Sequence, residues 1–575
     1  QAAAQIPKLA PAAPAASQQP PPGRTSRGMA QSPQAGAAVS QDKLLTSRLE
    51  FVREMKSSKY ALQKHECDYV PAMELLGVYA AHATVTRMVA RKELELGPGA
   101  LLNAVLSLHA FNVWHSCSHG GVAQHGEEHQ AFENMVCRLA GVVILFDDGS
   151  VAGHKRHHRY TNTPDDPDLY MKELPIEELG EAFYQFSQAT GPDEGAPGFV
   201  WGDQALKLAA GQAVKCLGEQ EHTAELAQTL RATWQGSATL SMYLLILFFG
   251  RYPHRNGKAL APQAEEVNEV DSFYDTTFRG QGQVDLWMMG EGWHHGHHAV
   301  TDVPYTVLPK VGADVEERRP DLKALSRGND DLAALEGPGS PMPPRLDPAA
   351  SPPDQRGWER TQAVRAQTEL LLSGRSGCVQ GALTGLAGIV VENALRVATT
   401  ADMALLRHLH QRMGLAGREG ADATNPLPTA TWHETVFAER TQELLRQQGS
   451  RIKAQVQAAA QAAGAAVAPT ARLSEKADIK ECYLELFRAL GSACLEPQAV
   501  WPFLERYAEA FPPPQAGGPE PRPEALLARL RGFLEAPIPR DSRRPEELRR
   551  PKGSPGDALQ RIADVLCLRP PRSRL

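Results

Sequence analysis

Cysteine chemistry is largely missing from this chain. Its eight cysteines (Cys67, Cys117, Cys137, Cys216, Cys378, Cys482, Cys494 and Cys567) form no CxxC pair. Nothing in their placement suggests a disulfide framework, and they do not match the spacing of a structural zinc site. Neither sign of charge dominates, since 60 Lys and Arg face 67 Asp and Glu, a formal net charge of −7. A nucleic-acid partner is therefore not expected. Aromatic residues make up only 6% of the chain. Apolar stretches near the roughly 20 residues that cross a bilayer are few. No acidic residue precedes Asp42.

Histidine is concentrated instead. Of 19 histidines, 12 lie within residues 109–158 and 294–298. Three clusters stand out: His115-Ser-Cys-Ser-His119, His154-Lys-Arg-His157-His158 and His294-His-Gly-His297-His298. Residues three and four apart share one face of a helix. Each cluster can therefore aim two or three imidazoles at one point. Neutral imidazole is the commonest nitrogen ligand of transition metals. Eight such nitrogens suffice for two metals with coordination positions left open. His125 and His129 form a further i, i+4 pair, read as surface residues. Glu219–His222 and Glu291–His294 are Glu-x-x-His pairs of the ferritin-like kind, but the remaining carboxylates are not spaced for that scheme.

The residues flanking the clusters carry a specific resemblance. His157-His-Arg-Tyr-Thr-Asn-Thr-Pro-Asp-Asp166-Pro-Asp168 resembles the second histidine box of the membrane fatty acid desaturases. Gly290-Glu291-Gly-Trp-His294 running into His297-His298 resembles their third box, and His115 to His119 has the form of the first. The resemblance covers roughly residues 65–312. It implies a mostly α fold: a membrane desaturase-like helical bundle with transmembrane or membrane-embedded helices, followed here by an α-helical extension. It also implies a non-haem di-iron centre, with two iron ions held by His115, His119, His154, His157, His158, His294, His297 and His298. Asp166, Asp168 and Glu291 are then expected to hydrogen-bond and orient the imidazoles. The implied chemistry is dioxygen-dependent hydrogen removal from a lipid or fatty acyl chain, with no catalytic residue beyond the metal centre. Zinc, having no redox chemistry, does not fit. One departure is His295, where acyl-CoA-type third boxes usually carry asparagine. The chain has no haem-binding His-Pro-Gly-Gly, so electrons must come from a separate donor.

Four segments are expected along the chain. Residues 1–41 form a Pro/Ala-rich extended arm. Its acid-poor composition resembles a transit region, and a first residue of Gln rather than Met fits removal of a presequence. Residues 42–312 form the desaturase-like domain, 313–357 a linker, and 358–575 an α-helical extension read as a docking domain. Pro98–Trp114 and Trp234–Gly250 are the best candidate spans. Their partner segments, about 71–90 and 204–230, carry charges that are expensive in lipid unless buried against protein. Leu139–Phe146 is too short to span and is expected near the site, while Gly377–Val391 reads as a core or interfacial helix. Helices are expected over Arg360–Leu372, Leu383–Met413, Thr431–Val467 and Glu475–Phe511.

Two functions fit these expectations. One is an oxygen-dependent lipid desaturase acting in a membrane. The other is a structural accessory subunit of a large membrane complex, built on the same fold with little or no turnover. The mitochondrial inner membrane is the favoured location, with plastid and ER membranes as alternatives.

Overall fold

Val70–Ala90 (α1) starts with proline in its first turn, where the missing amide costs nothing. Lys92, at φ 60°, turns the chain into Leu96–His119 (α2). α2 ends where Gly120 takes the left-handed conformation at φ 81°, and Gly121 N donates to Ser116 O at 2.9 Å. A glycine in that conformation is a common helix stop. It leaves His115 and His119 on the last turn of α2. In this computed structural model the described residues are 68–122, 127–144, 148–160, 294–318, 353–373, 378–401, 403–413, 435–467 and 479–494, plus isolated positions including 146, 177, 240, 241, 244, 535, 537 and 538.

The further described helices are Glu127–Ile144 (α3), Asp148–Tyr160 (α4), His294–Ala299 (α5), Leu308–Arg318 (α6), Pro353–Leu372 (α7), Cys378–Thr400 (α8), Met403–Arg412 (α9), Glu439–Val467 (α10) and Ile479–Cys494 (α11). A short 3₁₀ turn, Tyr305–Val307, leads into α6. Among the described residues the fold is helical, with no strand. α6 runs across the expected domain end at 312. The helix expected over Leu383–Met413 divides into α8 and α9. Thr399 and Thr400 return hydroxyl hydrogen bonds to Leu395 O and Arg396 O just before the break, a pattern that bends helices. The arm, nearly all of the second candidate span and most of the linker lie outside the described residues.

α1 is mostly apolar around its circumference, apart from Glu74, His82 and Arg87, and is buried along nearly its whole length. Such a helix must be wrapped, by protein or by lipid. Here the wrapping comes from both ends of the chain. Asn103 Nδ2 of α2 donates to Thr86 Oγ1 of α1 at 2.8 Å. From the other side, Gly77 lets α8 approach so closely that an added Cβ would lie 3.0 Å from Leu386 O. α11 adds Tyr483 OH, which donates to Ala72 O at 2.6 Å, and Phe487, stacked on Tyr79 with centroids 4.0 Å apart. α10 runs along α8, where Gly464 meets the backbone of Gln380. Its Arg451 and Arg440 pair with Glu93 and Glu95 at the α1–α2 turn. One continuous apolar core therefore joins residues 70–151 to residues 364–494. Each fully buried Leu, Val or Phe contributes about 1.5–3 kcal/mol.

Among the described residues two helices, α2 and α8, are long and apolar enough to cross a membrane. The apolar window of α2 is 94% buried within the protein, against 56% for α8. α2 is thus surrounded by protein, while α8 keeps a partly open face.

Candidate metal centre

α2, α4 and α5 bring the three histidine clusters together. On α2, His115 and His119 are one turn apart, as are His154 and His158 on α4 and His294 and His298 on α5. The helical spacing read from the sequence places each pair on one face. All eight imidazoles meet in two adjoining groups.

The first group is His115, His119, His154, His158 and His297, with one ring nitrogen from each lying within 4.8 Å of the others. His158 Nε2 lies 3.1 Å from His154 Nε2 and 3.2 Å from His297 Nε2. The second group is His157, His294 and His298, in which His298 Nε2 lies 3.0 Å from His294 Nε2. His158 joins the two, its ring stacked on His298 with centroids 4.1 Å apart.

The pocket is dry. His115, His157, His294 and His297 are at most 1% exposed. Phe111 stacks on His115, and Trp114 lies against His154 with Phe146 edge-on behind it. Phe146 thus lines the site at second remove, next to the end of α3. Burial first, and then the neighbouring histidines, hold His154 and His158 well below the usual imidazole range. Both rings are therefore neutral at physiological pH, the form in which histidine binds metal.

The donor set fits a metal. Nitrogens that point lone pairs at one another from 3.0–3.2 Å repel unless a proton or cation lies between them. His158 Nε2 has two such neighbours. Ligands at right angles around a metal, with bonds of about 2.1 Å, sit about 3 Å apart. The observed spacing matches that edge. Neither group contains a carboxylate or a thiolate among the described residues, which is the donor chemistry of an all-imidazole site. Asp166, Asp168 and Glu291, expected to orient the rings, lie outside the described residues, as do Glu219 and His222. His129 lies on α3 and belongs to neither group.

The sequence reading did not single out the polar residues buried behind the centre. Glu74 on α1 was visible as a charge in an apolar helix. Its carboxylate accepts hydrogen bonds from Arg360 on α7 and from the hydroxyl of Tyr305. All three are buried. Partners separated by 286 and 231 residues leave no local spacing signal.

Comparison with known proteins bears on residues 95–327, which match the family model for fatty acid desaturases. The match runs from α2 past α6 and contains all eight histidines. No curated protein and no solved structure matches the chain.

Proposed function

From the fatty acid desaturase domain over residues 95–327, we propose that this protein is a membrane-associated, oxygen-dependent lipid desaturase with an all-histidine di-iron centre. The observation that carries the reading is the convergence of eight histidines from three helices into two adjoining, largely buried groups, with no carboxylate in either among the described residues. His115, His119, His154, His158 and His297 would hold one iron, and His157, His294 and His298 the other.

Bound iron would supply the activation of dioxygen that cleaves an unactivated C–H bond. The balance is simple: two hydrogens leave adjacent carbons of the acyl chain, and two electrons and two protons arrive from outside. Dioxygen leaves as two waters. The electrons require a separate donor protein. The chain's own residues fix the ligands and exclude water. Phe111, Trp114 and Phe146 seal one side, and the αL stop at Gly120 aims the end of α2 at the centre. The second group would hold its metal with three imidazoles and the first with five.

Purified protein incubated with a reductant system and fatty acyl substrates should form an unsaturated product, and His157→Ala or His158→Ala should abolish it. A chain without iron at the site ends this reading.

One observation favours a second reading, in which the fold serves as an accessory subunit of a large membrane complex, proposed for the mitochondrial inner membrane. The C-terminal helices cover α1 and α2, surfaces that a simple membrane enzyme would offer to lipid. The acid-poor arm at residues 1–41 supports an organelle address. A chain that migrates as a free monomer from its native membrane in mild detergent excludes the accessory role.

A further inference from the structure

Two residues outside the desaturase match reach into the structure behind the metal centre. Glu74 precedes residue 95, and Arg360 follows residue 327. Arg360 donates to one oxygen of the Glu74 carboxylate, and the Tyr305 hydroxyl donates to the other. Tyr305 lies seven positions after His298. Its backbone N–H donates to Ser116 Oγ at 3.1 Å, and Ser116 directly follows His115. The same residue therefore ties the third histidine segment to the first at one end and to the buried ion pair at the other. α6, which Tyr305 introduces, packs its Gly312 backbone and Val311 against Gly296 of α5, between His294 and His297.

Resting on the metal reading above, we propose that Arg360 and Tyr305, acting through Glu74, are positioning residues that set the third histidine segment against the first. The C-terminal region then takes part in shaping the metal centre. A buried ion pair is a poor means of adding stability, because desolvation of both charges offsets their attraction. It is a good means of fixing direction. The carboxylate offers two oxygens at a set angle, and Arg360 Nη1 takes one while the Tyr305 hydroxyl takes the other. Burial, and then the Glu74 charge, push the Tyr305 phenol well above its usual range, so it stays protonated and donates. Partners that orient ligand segments typically change metal affinity by about 10–100-fold when removed.

The test uses the full chain in detergent, stripped of metal and titrated with cobalt(II), read by visible absorption and by bound metal per chain. Tyr305→Phe removes one hydroxyl and leaves the ion pair intact. It should weaken cobalt binding about 10-fold or more and shift the absorption band, while helicity is unchanged. Arg360→Gln should do at least as much, and Arg360→Lys should restore part of the loss. Should Arg360→Gln fail to fold, Tyr305→Phe decides alone. A Tyr305→Phe chain with wild-type affinity and wild-type spectrum overturns this inference and leaves the metal reading standing. A wild-type chain that takes up no cobalt overturns both.

Discussion

Arg360 closes on the carboxylate of Glu74 across 286 residues of sequence, and both side chains are buried. One lies on the second helix turn of α1, the other on α7 beyond the desaturase match. The extension is therefore packed into the same core as the histidine helices, together with α8, α10 and α11.

That relationship predicts the outcome of truncation. A chain ending at residue 352 leaves the buried Glu74 carboxylate without Arg360, and strips α8 and α11 from α1. Removing one partner of a buried pair costs about 3–5 kcal/mol, before the lost apolar contacts. The truncated chain should aggregate on extraction, as judged by size exclusion in mild detergent. A monodisperse, helical 1–352 chain would show that the extension is a separate unit.

The joining position of His158 predicts unequal effects among the ligands. His158 belongs to the five-membered group and stacks on His298 of the other. His158→Ala should lower bound iron from about two per chain towards none, whereas His294→Ala should leave about one. Metal analysis of the purified variants separates these outcomes. Equal loss in both would mean that the two groups load as one.

Acid should oppose both folding and metal uptake. Free imidazole titrates near 6.5. In the fold, His154 and His158 titrate well below that, through burial and then their histidine neighbours. Below about pH 6.5 the unfolded chain therefore binds more protons than the folded one, and stability falls as pH drops. Metal competes with the same protons. Melting curves between pH 7.5 and 5.5 should shift downward with acid, and His154→Asn with His158→Asn should flatten the dependence.

The convergence of the histidines was legible because their spacing obeys local rules. Spacings of three and four residues predict shared helix faces, and His115, His119, His154, His157, His158, His294, His297 and His298 all meet. The Pro98–Trp114 stretch reads as a helix running into the first box, and α2 is that helix. What stayed hidden depends on distant partners. Glu74 looked like erosion of a membrane span because Arg360 and Tyr305 cannot be paired with it from spacing. Gly377–Val391 reads as a core or interfacial helix, and its apolar run stops before Glu392. In the fold Glu392 faces outward and pairs with Lys453 of α10 at 2.6 Å, so α8 continues to Thr400.

Close helix approach predicts opposite signs for two glycine substitutions. At Gly464 an added Cβ would lie 2.5 Å from the Cα of Gln380, so Gly464→Ala forces α8 and α10 apart and should cost about 1–3 kcal/mol. At Gly381 on α8 nothing lies within 4 Å, and Gly381→Ala should add up to about 1 kcal/mol through helix propensity. Thermal unfolding of the two variants side by side checks the packing of α10 on α8.

Iron content with X-ray absorption on the full chain, purified without added metal, decides whether the eight histidines hold two irons. About two irons per chain are expected, with nitrogen as the protein donor at both. A chain without stoichiometric iron, or one whose iron is bound through sulfur, would contradict it.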